Sequence, residues 1–407
     1  GGMLRYGLPQ FRIPYDLVAK DINSIKDLGV KIVTNNRIES VKHLESLISE
    51  FDSVVLAGGC MIPKKTSIED TSFNGFYWGL DFMMQSNAEN LNQRMNKVIV
   101  IGGGFTAVDC SRMAIRLGAK EVFLAYRRTK DDLTIGEDEI HAMETEGIKF
   151  MFLTAPESLI VEDDEVKGMK LSKTAIRKGK VKKIKGSDFS IEVDTVVMAI
   201  GQREENDLFD SKDFKNISKL YLAGDFRNGA STVIEAIADG RKIAGDIHKS
   251  LSNITTVFQE EVIIENVTET GRSRDDDFIQ RQLMDEISLK ERFIKNKEVE
   301  LGYSRKISEL EARRCYLCHY NFQIDISRCI YCLKCIDVAP VNCIKMVKEI
   351  KVGENGDIEY IETEEWNETE VIAIDNNQCI RCGNCFKACP VNCISISKYK
   401  FKQALSK

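Results

Sequence analysis

Residues 327–346, SRCIYCLKCIDVAPVNCIKM, and 377–396, NQCIRCGNCFKACPVNCISI, are two copies of one block set 50 residues apart. Eleven of the chain's thirteen cysteines fall between Cys315 and Cys393. A disulfide-stapled secreted protein would spread its cysteines through a short chain. CxxC spacings gathered at one end of a 407-residue, Lys- and Glu-rich chain read instead as metal ligands in a reducing compartment. A cytoplasmic setting and low-oxygen metabolism are expected. A net charge of -6 gives no reason to expect nucleic-acid binding, and no apolar run approaches the roughly 20 residues of a membrane span.

Cys379-x2-Cys382-x2-Cys385-x3-Cys389-Pro390 is a complete [4Fe–4S] run. In a two-cluster ferredoxin the fourth cysteine of each run serves the other cluster, so Cys329, Cys332 and Cys335 are expected to share a cubane with Cys389. The second cubane has Cys379, Cys382 and Cys385, but alanine, Ala339, stands at the expected fourth position. Cys343 lies four residues on, one turn along the same face if a helix follows Pro340, and is the substitute predicted here. Its twin Cys393 is expected to be redundant. Cys315 and Cys318 form an extra CxxC that could replace Cys343, or join Cys343 and Cys393 in a third site; His319 beside them reads as a surface residue.

Residues 1–250 alternate short β-branched runs with helical patterns, as an α/β chain built on parallel sheets does. KVIVIGGGFTAVDCSRMAIRLGAKEVFLAYRR is strand, glycine turn, helix and second strand. Gly102, Gly104 and Ala107 fit the dinucleotide fingerprint: a tight turn, close approach of the pyrophosphate, and close packing of helix on strand. The second strand ends in Arg127 and Arg128 where an NAD site usually has an acid, so a 2′-phosphate and NADP(H) are expected. Cys60 and Cys110 are not spaced as a redox dithiol and read as packed core residues.

GGMLRYGLPQFRIP, the LAGG at 56–59, GGGFTAVDCSR, AYRR, AIGQ and LAGDFRNGASTVIEAIADGRKIAGDI resemble, in order over about residues 1–250, the glutamate synthase small subunit and its relatives. Those include the NADPH-binding flavoprotein subunit of bifurcating NADH-dependent ferredoxin:NADP oxidoreductase and domains of dihydropyrimidine dehydrogenase. The resemblance implies a two-dinucleotide-binding-domain flavoprotein of the glutathione reductase-like α/β class, with the NADP domain inserted into the FAD domain. Gly1, Gly2, Leu4, Arg5 and Gly7 would run along the isoalloxazine and pyrophosphate. Gly58 and Gly59 would let the backbone pass the FAD and cross toward the NADP domain. Gly224 and Asp225 would meet the ribityl chain, and Ser231, Thr232 and Val233 would open a helix facing the flavin N1–C2=O edge, where reduction builds negative charge. The relatives' first GxGxxG, for the ADP moiety of FAD, has no counterpart before the GGML segment, so an upstream segment or another polypeptide is expected to supply it.

The domain plan expected is an FAD part at 1–92, an NADP-binding domain at 93–203, an FAD return at 204–250, a helical linker at 251–312, and an α+β bacterial-type ferredoxin domain at 313–407. The last carries an acidic insertion, 347–373, in which GENGD could turn a hairpin. The function expected is electron transfer: NADPH gives a hydride to FAD, which feeds single electrons to two [4Fe–4S] clusters, or the flow reverses. The partner would be a redox subunit of a formate dehydrogenase, hydrogenase or bifurcating complex, or a ferredoxin. The alternatives are a glutamate synthase small subunit and a ferredoxin-like wiring module on a vestigial flavin scaffold. No acid–base or nucleophilic constellation is present, and hydride transfer requires none.

Overall fold

The run Lys97–Ile101 is apolar after its first residue, the pattern of a strand covered on both faces. In the computed structural model it is the middle strand of a five-stranded parallel sheet, ordered Phe76–Trp78, Thr195–Met198, Lys97–Ile101, Glu121–Tyr126, Lys149–Phe152. Val98 and Val100 face one core with Phe82, Val108, Met113 and Leu124. Ile99 and Ile101 face a second core with Val166, Met169 and Leu171, from an antiparallel sheet built mainly on Glu165–Arg177. The structure describes residues 1–64, 66, 68, 72–91, 95–204, 217, 219–252, 258–352 and 358–405.

The chain forms two compact units, one of Gly1–Leu251 with Asp285–Leu301, the other of Ser252–Met284 with Gly302–Lys407. In the first, the stretches expected to bind FAD supply helices Tyr15–Asp27, Val41–Glu50 and Val233–Ser252 and a parallel pair, Val54–Leu56 with Leu220–Leu222. Ile62–Pro63 pairs with Gln202–Arg203 where the chain passes into and out of the central sheet region.

Phe11 and Arg12 sit where sequence reading did not look for them. Phe11 is 2% exposed and belongs to the core of the five-stranded sheet, beneath the guanidiniums of Arg112 and Arg116 at 4.9 and 4.0 Å from its ring centre. Arg12 bonds Asp109 at 2.5 Å and Glu139 at 2.6 and 2.9 Å, while Glu146 is gripped by Arg112 and Arg116. The 285–301 segment closes on the same core through Ile287 and Val299, and Val299 N–H donates to the Phe11 carbonyl at 3.2 Å.

Residues 251–312, expected as a helical connector, are not one. They hold a strand, Phe258–Val267, a 3-10 turn at Arg274–Phe278, a four-residue helix at Leu289–Arg292 and one longer helix, Arg305–Arg313. The physical reason lies in local competition: Ser273 with Asp276 and Ser288 with Glu291 close capping boxes that begin helices. Propagation needs an apolar stripe with something to pack on, and among the described residues of this stretch only Ile287 and Val299 are buried hydrophobics, beside buried Arg272, Asp276 and Arg292.

The second unit contains two three-stranded antiparallel sheets. One is ordered Phe258–Val267, Ile394–Leu405, Tyr320–Ile324; the other Ile358–Glu362, Ile344–Val352, Val371–Ile374. The acidic insertion thus extends the first half's strand into a hairpin, its arms meeting at Val352 and Ile358. GENGD, 353–357, lies outside the described residues. Short helices Lys334–Asp337 and Asn384–Ala388 follow the two cysteine loops at equivalent places.

Candidate nucleotide, flavin and cluster sites

Gly102 has φ +154, and a Cβ there would stand 2.3 Å from the Ala199 carbonyl oxygen and 3.0 Å from Ala107 Cβ. Gly103 is equally constrained, because its Cβ would enter the Tyr126 ring. Gly104 differs: a Cβ would meet nothing nearer than Thr134 Oγ1 at 3.7 Å, and the residue heads the Phe105–Arg116 helix. Nothing in the fold requires glycine at that position, which leaves a cradle open to a group at the helix N-terminus, as a pyrophosphate needs. At the end of the adjacent strand Arg127 is exposed, while Arg128 is half-buried and bonded to Asp132 at 3.4 Å. Thr129 N–H and Oγ1–H hold the Asp132 carboxyl below its usual range, with Arg128 adding to the effect. The two arginines are therefore not equivalent, a distinction the motif alone does not show.

On the flavin side, the Met3–Tyr6 turn follows Gly2 at φ +50 and is tied down by Asn87, whose Nδ2 donates to the Tyr6 and Leu8 carbonyls at 3.0 Å. Leu4 is half-buried, Arg5 lies over the Tyr15 ring, and Gly7 packs on Met3. Gly59 at φ +71 has open space beside it; Gly58 faces Phe226. Gly224 has φ +61, its N–H donates to Asp239 at 2.7 Å, and a Cβ would meet only Ala236 at 3.8 Å. Asp225 accepts from Ser231 Oγ at 2.7 Å. Thr232 and Glu235 cap each other at the start of the Val233–Ser252 helix, so a carboxylate, held low by the Thr232 N–H and hydroxyl, already occupies that helix's first turn.

Cys60 and Cys110 are buried in different elements and bond the Asp225 and Gly79 carbonyls. Neither is paired with another thiol.

The cysteine loops share one local geometry. Tyr331 N–H points at Cys329 Sγ and Arg381 N–H at Cys379 Sγ, each at 3.4 Å, with Tyr331 and Arg381 in the left-handed region. Side chains of that size adopt φ above zero only under constraint, and such outliers gather at functional sites. Leu317, with φ +52 and its N–H on Cys315 Sγ at 3.4 Å, repeats the turn in the extra CxxC.

Two cavities lie between the halves of the repeat. One, with about 310 Å³ of unfilled space, is lined by Cys329, Cys332, Cys335, Cys389 and Cys393 among apolar Ile324, Leu333, Ile372 and Ile394. The other, about 270 Å³, is lined by Cys343, Cys379, Cys382 and Cys385 with Phe322, Ala339 and Ile380. The three thiols of each loop thus meet a thiol from the other copy, and Cys343 rather than Ala339 brings sulfur to the second cavity. Cys315 and Cys318 are exposed and line neither. A hydrogen bond from Cys343 lowers Cys379 to about 6, whereas burial pushes Cys385 and Cys393 up to about 12 and Cys335 to about 11. Apolar walls that penalise thiolates in isolation suit a cluster whose iron neutralises them. Among the described residues no three His, Cys, Asp or Glu side chains converge as a single-ion site would require. A cubane asks for wider spacing, since its ligands sit on four different irons.

Comparison with known proteins agrees with this division. The pyridine nucleotide-disulphide oxidoreductase family matches residues 18–240 and the 4Fe-4S dicluster domain residues 328–399. The beta subunit of NADP(+)-dependent formate dehydrogenase from Moorella thermoacetica is 30% identical, over 78% of this chain and 50% of its own length. The NADPH-Fe(3+) oxidoreductase beta subunit of Geobacter sulfurreducens is 28% identical, over 78% of this chain and 56% of its own. The chain therefore spans about half the length of these relatives. The Escherichia coli glutamate synthase [NADPH] small chain is 26% identical over 61% of this chain and 60% of its own. Among solved structures, Mycobacterium tuberculosis FprA in complex with NADPH superposes with a TM-score of 0.50 at 17% identity, covering 62% of this chain and 75% of that one, which shows the shared fold. Dinucleotide fingerprint, central sheet and duplicated cysteine cradles converge on one conclusion: the chain belongs to the pyridine nucleotide-disulphide oxidoreductase family and carries a 4Fe-4S dicluster domain at its C-terminal end.

Proposed function

We propose that this chain moves electrons between NADP(H), FAD and two [4Fe–4S] clusters, to or from a redox partner subunit or a ferredoxin. The observation that carries it is the crossed construction of the two cysteine cavities on a chain that also has the dinucleotide turn. In this reading Gly102, Gly104 and Ala107 seat the pyrophosphate, with Arg127 the chief and Arg128 the lesser grip on the 2′-phosphate. Gly58, Gly59, Gly224, Asp225 and Ser231 to Val233 border the flavin, together with Gly1, Gly2, Leu4, Arg5 and Gly7. Cys343 completes the second cubane. A bound flavin supplies the exchange between two-electron and one-electron chemistry; the protein fixes position and access.

A subunit like those of the formate dehydrogenase and Fe(3+) oxidoreductase relatives fits better than a glutamate synthase small chain. The former two align over 78% of the chain, the latter over 61%. Anaerobic titration of the native complex with NADPH tests the function. Bleaching of flavin absorbance together with reduced-cluster electron paramagnetic resonance signals is expected. Flavin-free protein whose clusters stay oxidised under NADPH would leave only a wiring module and overturn it.

A further inference from the structure

The first cavity holds five thiols where a cubane takes four. By the 50-residue repeat, Cys393 is the counterpart of Cys343, and Cys389 the counterpart of Ala339. The counterpart relation also holds in space. Cys343 lines one cavity with the first cysteine of the opposite loop, Cys379; Cys393 lines the other with Cys329, which is the counterpart of Cys379. Cys343 and Cys393 are both 5% exposed, and each lines the cavity of the other copy's loop. Cys389 Sγ lies 3.4 Å from Cys393 Sγ, so the two compete for one corner.

We propose that Cys393 is a competent fourth-iron ligand of the first cubane, holding in it the position that Cys343 holds in the second, with Cys389 as the alternative. This rests on the reading of Cys343 as the second cubane's ligand. At that site no second thiol from the same copy stands in reserve, because the other position is Ala339. The first cluster can therefore change its fourth thiolate between two neighbouring sulfurs of one loop without losing iron; the second cannot.

Cys389→Ala is the deciding variant. It gives residues 389–393 the Ala-Pro-Val-Asn-Cys that residues 339–343 already have, a pentapeptide the native domain folds in its other half. Full-length protein prepared without oxygen should keep about eight iron atoms and eight labile sulfides per chain, the content of two cubanes, with no three-iron resonance. A three-iron signal or loss of one cluster in Cys389→Ala would overturn the assignment. Cys389→Ala with Cys393→Ala should lose the first cluster; a double variant that keeps both clusters would equally overturn it, since the rescuing ligand would then lie elsewhere. Cys343→Ala alone separates the two readings: it should degrade the second cluster, and an intact pair of clusters there would refute the reading of Cys343 without touching that of Cys393. If Cys389→Ala fails to accumulate, the converse serves. Ala339→Cys with Cys343→Ala should restore a four-iron second cluster, and a three-iron product would refute the equivalence of the two positions.

Discussion

The chain contains the strand–glycine–helix device twice, and the two copies stand on different foundations. At the nucleotide turn, Lys97–Ile101 leads through Gly102 into Phe105–Arg116, a helix with nine of twelve residues buried. On the flavin side, Leu220–Leu222 leads through Gly224 toward Val233–Ser252, where only Ile243 of twenty residues is buried. Val233, Ile234 and Ile237 on that helix are 46%, 79% and 60% exposed. A glycine turn is a local matter of backbone conformation, whereas its support depends on what packs around it. The nucleotide turn is held by a two-sided core; the flavin turn presents apolar surface that the described residues do not cover.

If the nucleotide core is the rigid half, its anchor from the N-terminal segment should matter most. Phe11→Ala should cost about 3–5 kcal/mol, the usual loss for a fully buried aromatic, read from the denaturant midpoint. The lost ring also uncovers Arg112 and Arg116, which the ring face now covers. A cost below about 1 kcal/mol would mean that the segment lies on the core without being part of it.

The buried charges beside Phe11 give the same half a pH signature. Burial raises the Asp109 carboxyl to about 6 and outweighs the Arg12 guanidinium bonded to it. A raised carboxyl means that the folded state binds the proton more tightly. Stability should fall by up to about 3 kcal/mol as pH rises from about 4 to about 6, and be flat above. Glu139 and Glu146 run the other way. Burial opposes their charge, but Arg12, Arg112 and Arg116 hold both below the usual range. Their contribution is present above the unfolded value and is lost as pH falls through the folded one. Asp109→Asn should flatten the limb between pH 4 and 6 and leave the acid limb in place. An unchanged slope would show that Asp109 does not hold the extra proton.

Much of the plan was legible because it is written in short-range spacing. The fingerprint glycines, Ala107 and the two arginines stand where the Gly-rich turn must put them, and the four-residue step from Ala339 pointed to Cys343. Residues 340–343, however, form bends running into the Ile344–Val352 strand and not the helical turn expected after Pro340. Phe11 and Arg12 were not legible, since their partners Asp109, Arg112, Arg116 and Glu139 lie about a hundred residues away and no local pattern announces them. The 251–312 stretch misled for a related reason: its apolar spacing suits a helix, but among its described residues only Ile287 and Val299 are buried hydrophobics, too few to make a stripe that extends the short helices beyond their capping boxes. Cys393 reads as redundant because a ferredoxin run counts four cysteines and stops at Cys389; the repeat, which pairs Cys393 with Cys343, is the feature that motivates proposing a ligand role for it.

The two turns should also separate in ligand binding. Arg127→Ala should weaken NADPH use by roughly 10- to 100-fold, the equivalent of a lost charge-assisted contact, with NADH use nearly unchanged. Arg128→Ala should do less, because Arg128 is already engaged by Asp132. Equal damage to both cofactors would refute the 2′-phosphate assignment. At the flavin turn, Asp225→Ala should lower flavin occupancy while leaving iron content intact, as measured by extracted flavin against total iron. Joint loss of flavin and iron would argue that the two binding regions are not separable.

The smallest expected effect tests the exposed face itself. Ile234 is 79% exposed, so its side chain has little burial to lose. On this chain, Ile234→Ser should change stability by no more than about 0.5 kcal/mol, as surface substitutions usually do. The same change at a covered isoleucine removes about 2 kcal/mol or more of apolar burial, so the two situations are well separated by denaturation. Measured again in the native complex, Ile234→Ser should become the costlier substitution if that helix is covered there. A large loss already in the isolated chain would mean that the helix packs on its own chain after all. The contrast between a supported nucleotide turn and an unsupported flavin turn would then fail at its weaker end.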